Sequence, residues 1–260
     1  SWTLVIMAVT PLSFYFAAPL SESPYLAAIL ASFYCAIHDR LGWTAIFAFL
    51  ATLARSQGLV MLPIAGLMLL IQEWRASGDL RETLLASTRK GWVLCIIPLA
   101  FLGLEAYRSS MGLRPISEIY RTVTQNRIVN PLEGLILNLG VFLRYLREGI
   151  YNINPAWLVA TLVLTVWLFF YPKHRRISLV AYTFFHLFLF LTIINYVWYT
   201  DIIMGTQSIA RYTLVLFPIA VLLADRIRHM PRLLRAASLG GMVLGLLLFS
   251  GLFTVALVGP

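Results

Sequence analysis

The chain has 260 residues, 60% hydrophobic and 12% charged, with a mean hydropathy of +0.83 and a formal net charge of +9. A soluble domain carries about twice that share of charge, so a water-covered globular enzyme and a disordered chain are both excluded. The basic excess reads as loop charge that holds one face of a membrane protein in the cytoplasm, not as a nucleic-acid surface.

Apolar runs separated by short polar breaks predict spans at 2–18, 25–37, 43–54, 59–71 and 92–107, then at 157–171, 177–199, 212–224 and 236–258. A mixed run, 132–147, stands apart from these. No run alternates like a membrane strand, and helices satisfy their own backbone in lipid. The expected fold is all-α: one polytopic transmembrane helical bundle over 1–260, of about nine spans. An extracytoplasmic loop and interfacial helix are expected over 108–154. Pro11, Pro63, Pro98 and Pro218 fall within apolar runs and predict kinks or breaks. Gly240, Gly241 and Gly245 allow close helix packing. Cys35 and Cys95 sit in apolar runs and read as small buried hydrophobes.

Loop charge orients the bundle. With Glu22 outside, the inside loops carry Arg40; Arg75, Arg81, Arg89 and Lys90; Lys173, Arg175 and Arg176; and Arg226, Arg228, Arg232 and Arg235. A further crossing by 132–147 would turn the later basic loops outward, so that run is expected along the outer surface. The runs 43–54 and 59–71 are short. They read as two spans; the alternative is one bent span with Arg55 inside it, at a cost of several kcal/mol unless the charge faces protein or water.

The outer face then collects Glu22, with Arg55, Ser56 and Gln57, and with Asp201, Gln207, Ser208, Arg211 and Tyr212. The long outer stretch adds Arg108, Arg114, Glu118, Tyr120, Arg121, Gln125, Asn126 and Arg127. Guanidinium forks match phosphate oxygens, and a carboxylate beside them can orient a hydroxyl or accept a proton. This set points to an outward site for an anionic, phosphorylated ligand arriving from lipid. The blander alternative is that the arginines snorkel at helix ends and that Glu22 pairs with Arg55 for structure alone. His186 lies mid-run with no acidic neighbour in that run, which favours packing or an interhelical hydrogen bond over proton relay. His38, His174 and His229 flank inside loops and read as surface residues. No H-E-x-x-H, cysteine cluster or Gly-rich phosphate loop occurs, so metal hydrolysis and ATP hydrolysis have no support and no metal ligands are assigned.

Three segments carry a resemblance. PLSFYFAAPLSESPYLAAILASFY (11–34), ATLARSQGLVMLP (51–63) and SIARYTLVLFP (208–218) resemble, in order and spacing, segments of the PIG-V-like mannosyltransferases. That resemblance implies a GT-C type, multi-span glycosyltransferase. Such enzymes take a sugar, usually mannose, from a polyprenyl-phosphate donor and transfer it with inversion on the extracytoplasmic or luminal side. For this chain it implies a substrate site of Glu22, Arg55, Ser56, Gln57, Arg211 and Tyr212, with the arginines on donor phosphate or as structural partners. It also implies a prokaryotic plasma-membrane location with membrane lipid and the lipid-linked donor as partners, and a lipid-linked or extracytoplasmic acceptor. The family's catalytic carboxylate lies in an R-W-D-like first outer loop, which this sequence lacks. The catalytic residue is therefore expected in a preceding segment. A chain starting at Ser1 rather than Met is expected to be the later spans of a longer protein, inactive alone. A transporter or lipid flippase, and a scaffold subunit, are the alternatives. A transporter would place ionisable groups near mid-membrane and often carries inverted repeats.

Overall fold

The computed structural model describes residues 2–11, 13, 21–116, 118–119, 126–149, 153–170, 177–197, 202–205 and 215–258. Helix α1 (Trp2–Val9) ends just before Pro11. Helices α2 (Glu22–Ile37) and α3 (Leu41–Ala54) form an antiparallel hairpin, with Asp39 in the left-handed region at φ 56° in its turn. A single 3-10 stretch (Ser56–Val60) leads into α4 (Met61–Ser77). Gln72 near the end of α4 donates to Ala36 O near the end of α2 at 3.1 Å, so the chain has reversed at Arg55. The runs 43–54 and 59–71 are thus two helices, not one bent span. The reversal needs glycine at 58: a Cβ there would lie 2.3 Å from the backbone nitrogen of Thr52.

Gly78, at φ 67°, ends α4, and the Asp79 carboxylate caps α5 (Leu80–Gly91) by accepting from Arg81 N and Glu82 N. A 3-10 stretch (Trp92–Cys95) joins α5 to α6 (Ile96–Ser110). The tightening falls just ahead of Pro98, which has no N–H to give the carbonyl four residues back. This corrects the expected inside loop: Arg81, Arg89 and Lys90 ride on a helix continuous with the next span. Pro63 likewise follows a 3-10 stretch, in the first turn of α4, so the breaks expected at these two prolines are present, and Pro218 lies in the first turn of the helix Phe217–His229. The second half adds α7 (Pro131–Glu148), α8 (Ile153–Phe170), α9 (Ile177–Leu191), α10 (Phe217–His229) and α11 (Arg232–Val258). Asn130 caps α7 by accepting from Glu133 N at 2.8 Å.

The chain is nearly all-α, with one exception among the described residues. Strands β1 (Asn126–Ile128), β2 (Ile193–Val197) and β3 (Ile202–Gly205) form an antiparallel sheet in that order. Arg127 pairs with Ile194 and Tyr196 with Ile203. The expected span 177–199 therefore stops being helical at Leu191. Thr192, Ile193 and Ile194 are β-branched and fit a strand better than a helix. The end is also pinned: Thr192 O accepts from Val129 N at 2.9 Å, and a Cβ on Gly134 would overlap Leu191 O.

On two helices packing is inverted relative to a soluble protein. On α3 the buried residues are small, Ala45, Ala48 and Ala51, while Trp43, Ile46, Leu50 and Leu53 point outward. On α7 Gly134, Asn138, Val141 and Tyr145 face in, and Leu132, Ile136, Leu139, Leu143 and Leu146 face out. Small residues let helix backbones approach where lipid makes apolar burial nearly neutral, and large ones meet the lipid tails. Among the described residues three helical stretches, Ser56–Ser77, Leu80–Ser110 and Arg232–Ser250, are long and apolar enough to cross a bilayer. These features mark a membrane protein. Of the two cysteines, Cys35 is buried as expected, but Cys95 is exposed.

Candidate functional site

The central core is built by Tyr25, Ile29 and Phe33 from α2, Met61 and Ile64 from α4, and Tyr182 and Phe190 from α9. The candidate site caps this core at the end where α2 begins and α3 stops. Glu22 opens the first turn of α2 and is fully buried. Arg55 leaves α3 in extended conformation, φ −154° and ψ 136°, which swings its side chain back across the hairpin. Its Nη1 donates to Glu22 Oε1 in an ion pair, and its Nε donates to Gln57 Oε1 at 2.7 Å. The Arg55 side chain is 12% exposed and Gln57 is buried. Ser56 stands between them at the start of the 3-10 stretch.

Four of the six expected site residues, Glu22, Arg55, Ser56 and Gln57, thus lie together. Arg211 and Tyr212 lie outside the described residues, as do Asp201, Gln207, Ser208, Tyr120, Arg121 and Gln125. In the outer stretch Arg108 donates to Arg114 O at 2.7 Å, and Arg114 pairs loosely with Glu118 at 3.7 Å. Both contacts are exposed and local, of the kind that contributes little.

A second polar chain runs inward from the site. Tyr25 follows Glu22 by one helical turn. Its hydroxyl donates to His186 Nε2 at 2.8 Å, while His186 Nδ1–H donates to Tyr182 O at 3.0 Å. The Tyr182 carbonyl can only accept, which fixes this tautomer in the neutral ring. The Tyr182 hydroxyl donates to Val215 O at 2.9 Å. All three side chains are fully buried. The interhelical hydrogen bond expected of His186 is therefore present, and Tyr25 is the partner that sequence reasoning missed. Its signal was the spacing of three from Glu22 on one helix face.

Among the described residues no group of three or more His, Cys, Asp or Glu gathers as a metal site would require. Compared with protein-family models, curated proteins and solved structures, the chain matches none.

Proposed function

We propose that this chain is part of a GT-C type glycosyltransferase, resembling the PIG-V-like mannosyltransferases, with about nine spans and an extracytoplasmic site. It uses a polyprenyl-phosphate sugar and an acceptor that is lipid-linked or extracytoplasmic. The observation that carries this reading is the buried group Glu22–Arg55–Gln57. It joins two of the three resembling segments, 11–34 and 51–63, at one end of the bundle. An arginine fixed by a carboxylate and an amide holds its guanidinium plane in one orientation, the kind of pre-organisation that phosphate recognition uses. The third segment, with Arg211 and Tyr212, leads in sequence to Val215, which the Tyr182 hydroxyl ties to the same core. The four shorter apolar helices cross in company with the three long ones. α7 lies along the outer interface with its leucine face in lipid.

The test is sugar transfer from a polyprenyl-phosphate donor by the protein expressed from its complete reading frame. Arg211→Ala abolishes transfer at normal protein level; normal turnover removes Arg211 from the donor site. A transporter is the second reading, favoured by the buried His186 between α2 and α9, since ionisable groups deep in a bundle mark transport paths. Substrate flux in proteoliposomes without any transfer product decides for it.

A further inference from the structure

We propose that the cleft between α4 and the α5–α6 helix binds one phospholipid, its acyl chain between the helices and its phosphate at the basic end of the bundle. This inference does not depend on the glycosyltransferase reading.

The cleft opens where α5 and α4 diverge. Leu62, Gly66 and Leu70 form one wall, and Leu84, Gly91 and Cys95 the other. Its volume is about 590 Å³, within the range of about 300–1,000 Å³ typical of ligand sites. Around Gly66 the cleft is open, a Cβ there meeting nothing within 4 Å, while at Gly91 the walls meet, Leu69 lying 3.4 Å from where a Cβ would stand. The lining is largely apolar, with two hydroxyl residues, Ser87 and Thr88, toward the basic end. Ser87 lines the cleft and is 8% exposed, and its hydroxyl has no hydrogen-bond partner among the described residues. The neighbouring Thr88 hydroxyl is already engaged, donating toward Leu84 O and Leu85 O. An unmade hydrogen bond in an apolar wall asks for an acceptor from the occupant. A phospholipid brings ester and phosphate oxygens at the level where its chain begins.

The charges at that end agree. Arg81 lies seven residues before Thr88, on the same face of α5, and is exposed. Arg89 is exposed, and Arg75 ends α4. Of the acids nearby, Glu73 is held by Lys90 at 2.6 Å and Asp79 is occupied in capping α5, while Glu82 remains on the first turn. Trp92, 71% exposed beside the cleft, has the place that indole rings take at a membrane interface.

The exposed thiol of Cys95 reports occupancy, and the buried Cys35 is the internal control. The full chain is purified in a mild detergent and given phosphatidylglycerol. Native mass spectrometry then finds one lipid retained per chain, and maleimide labelling of Cys95 slows at least fivefold. Ser87→Ala weakens retention several-fold, and Gly66→Leu, which fills the cleft, removes it. Equal labelling with and without lipid overturns the proposal. So does equal protection by detergent alone, which means a nonspecific chain fills the cleft, or protection that appears only as the chain dimerises. Retention unchanged in both variants overturns it too. The milder Ser87→Ala keeps the test decisive if Gly66→Leu does not fold.

Discussion

The α2–α3 hairpin and α11 are both apolar helical segments of one chain, yet they use their residues in opposite ways. On α3 the small residues are sorted to one face, and Ala45, Ala48 and Ala51 are fully buried. On α11 no residue of the apolar window is buried, and Gly240 and Gly241 face open space. Leu233, Leu244, Leu247 and Leu248 point outward. The hairpin also carries charge that it must keep in place, while α11 carries its arginines only at its start. The difference teaches that hydropathy admits a helix to the bilayer, while small residues permit close packing without enforcing it: on α11 only Gly245, against Pro11, is used that way among the described glycines.

The comparison breaks most sharply at the ion pair. Arg55→Ala leaves Glu22 buried without its guanidinium and lowers stability by about 3–5 kcal/mol, read by unfolding in mixed micelles. A loss near zero makes the pair a bystander. Replacing Glu22 and Arg55 together with Gln loses less than the two single losses added, because neither change then strands a charge. Next comes Gly58→Ala, whose new Cβ collides with the backbone of α3. It costs about 1–3 kcal/mol, and unchanged thermal unfolding would show that the reversal at Arg55 can yield. Ala48→Leu wedges the hairpin apart at a similar cost of about 1–3 kcal/mol, whereas Gly241→Leu on α11 stays within about 0.5 kcal/mol. Equal effects at both positions would erase the contrast between the two regions. Among the substitutions inside the packed core the smallest effect is Tyr25→Phe, which removes the hydrogen bond to His186 for about 0.6–1 kcal/mol. The melting temperature of Tyr25→Phe in detergent, measured beside His186→Ala, tests whether the two act as a unit.

Much of the site was legible before any fold was known. Glu22 and Arg55 stood at the ends of adjacent apolar runs, and a hairpin brings such ends together. Tyr25 was accessible through its spacing from Glu22, but its partner lies 161 residues away, and no local pattern links them. The strand 193–197 was hidden inside a continuous apolar run, where periodicity cannot separate a strand from a buried helix. The helix over 80–91 was hidden in the opposite way: its charged residues read as a loop, although Leu80, Leu84 and Leu85 recur among them at helical spacing. The placement of α3 was half-legible, since the alanine spacing was visible but not which face it turned inward.

The sequence by itself determined the solvent. So little charge can be accommodated only in lipid, and helices are the open-ended way to satisfy a backbone there. It also determined where the scarce charges fall, at the ends of apolar runs. The tertiary structure alone decided which of them meet, that α3 turns its alanines inward, and that the run after Leu191 leaves its helix to pair with β1. Those outcomes depend on close approach between distant segments, and at Gly58 and Gly134 the absence of a single Cβ permits it.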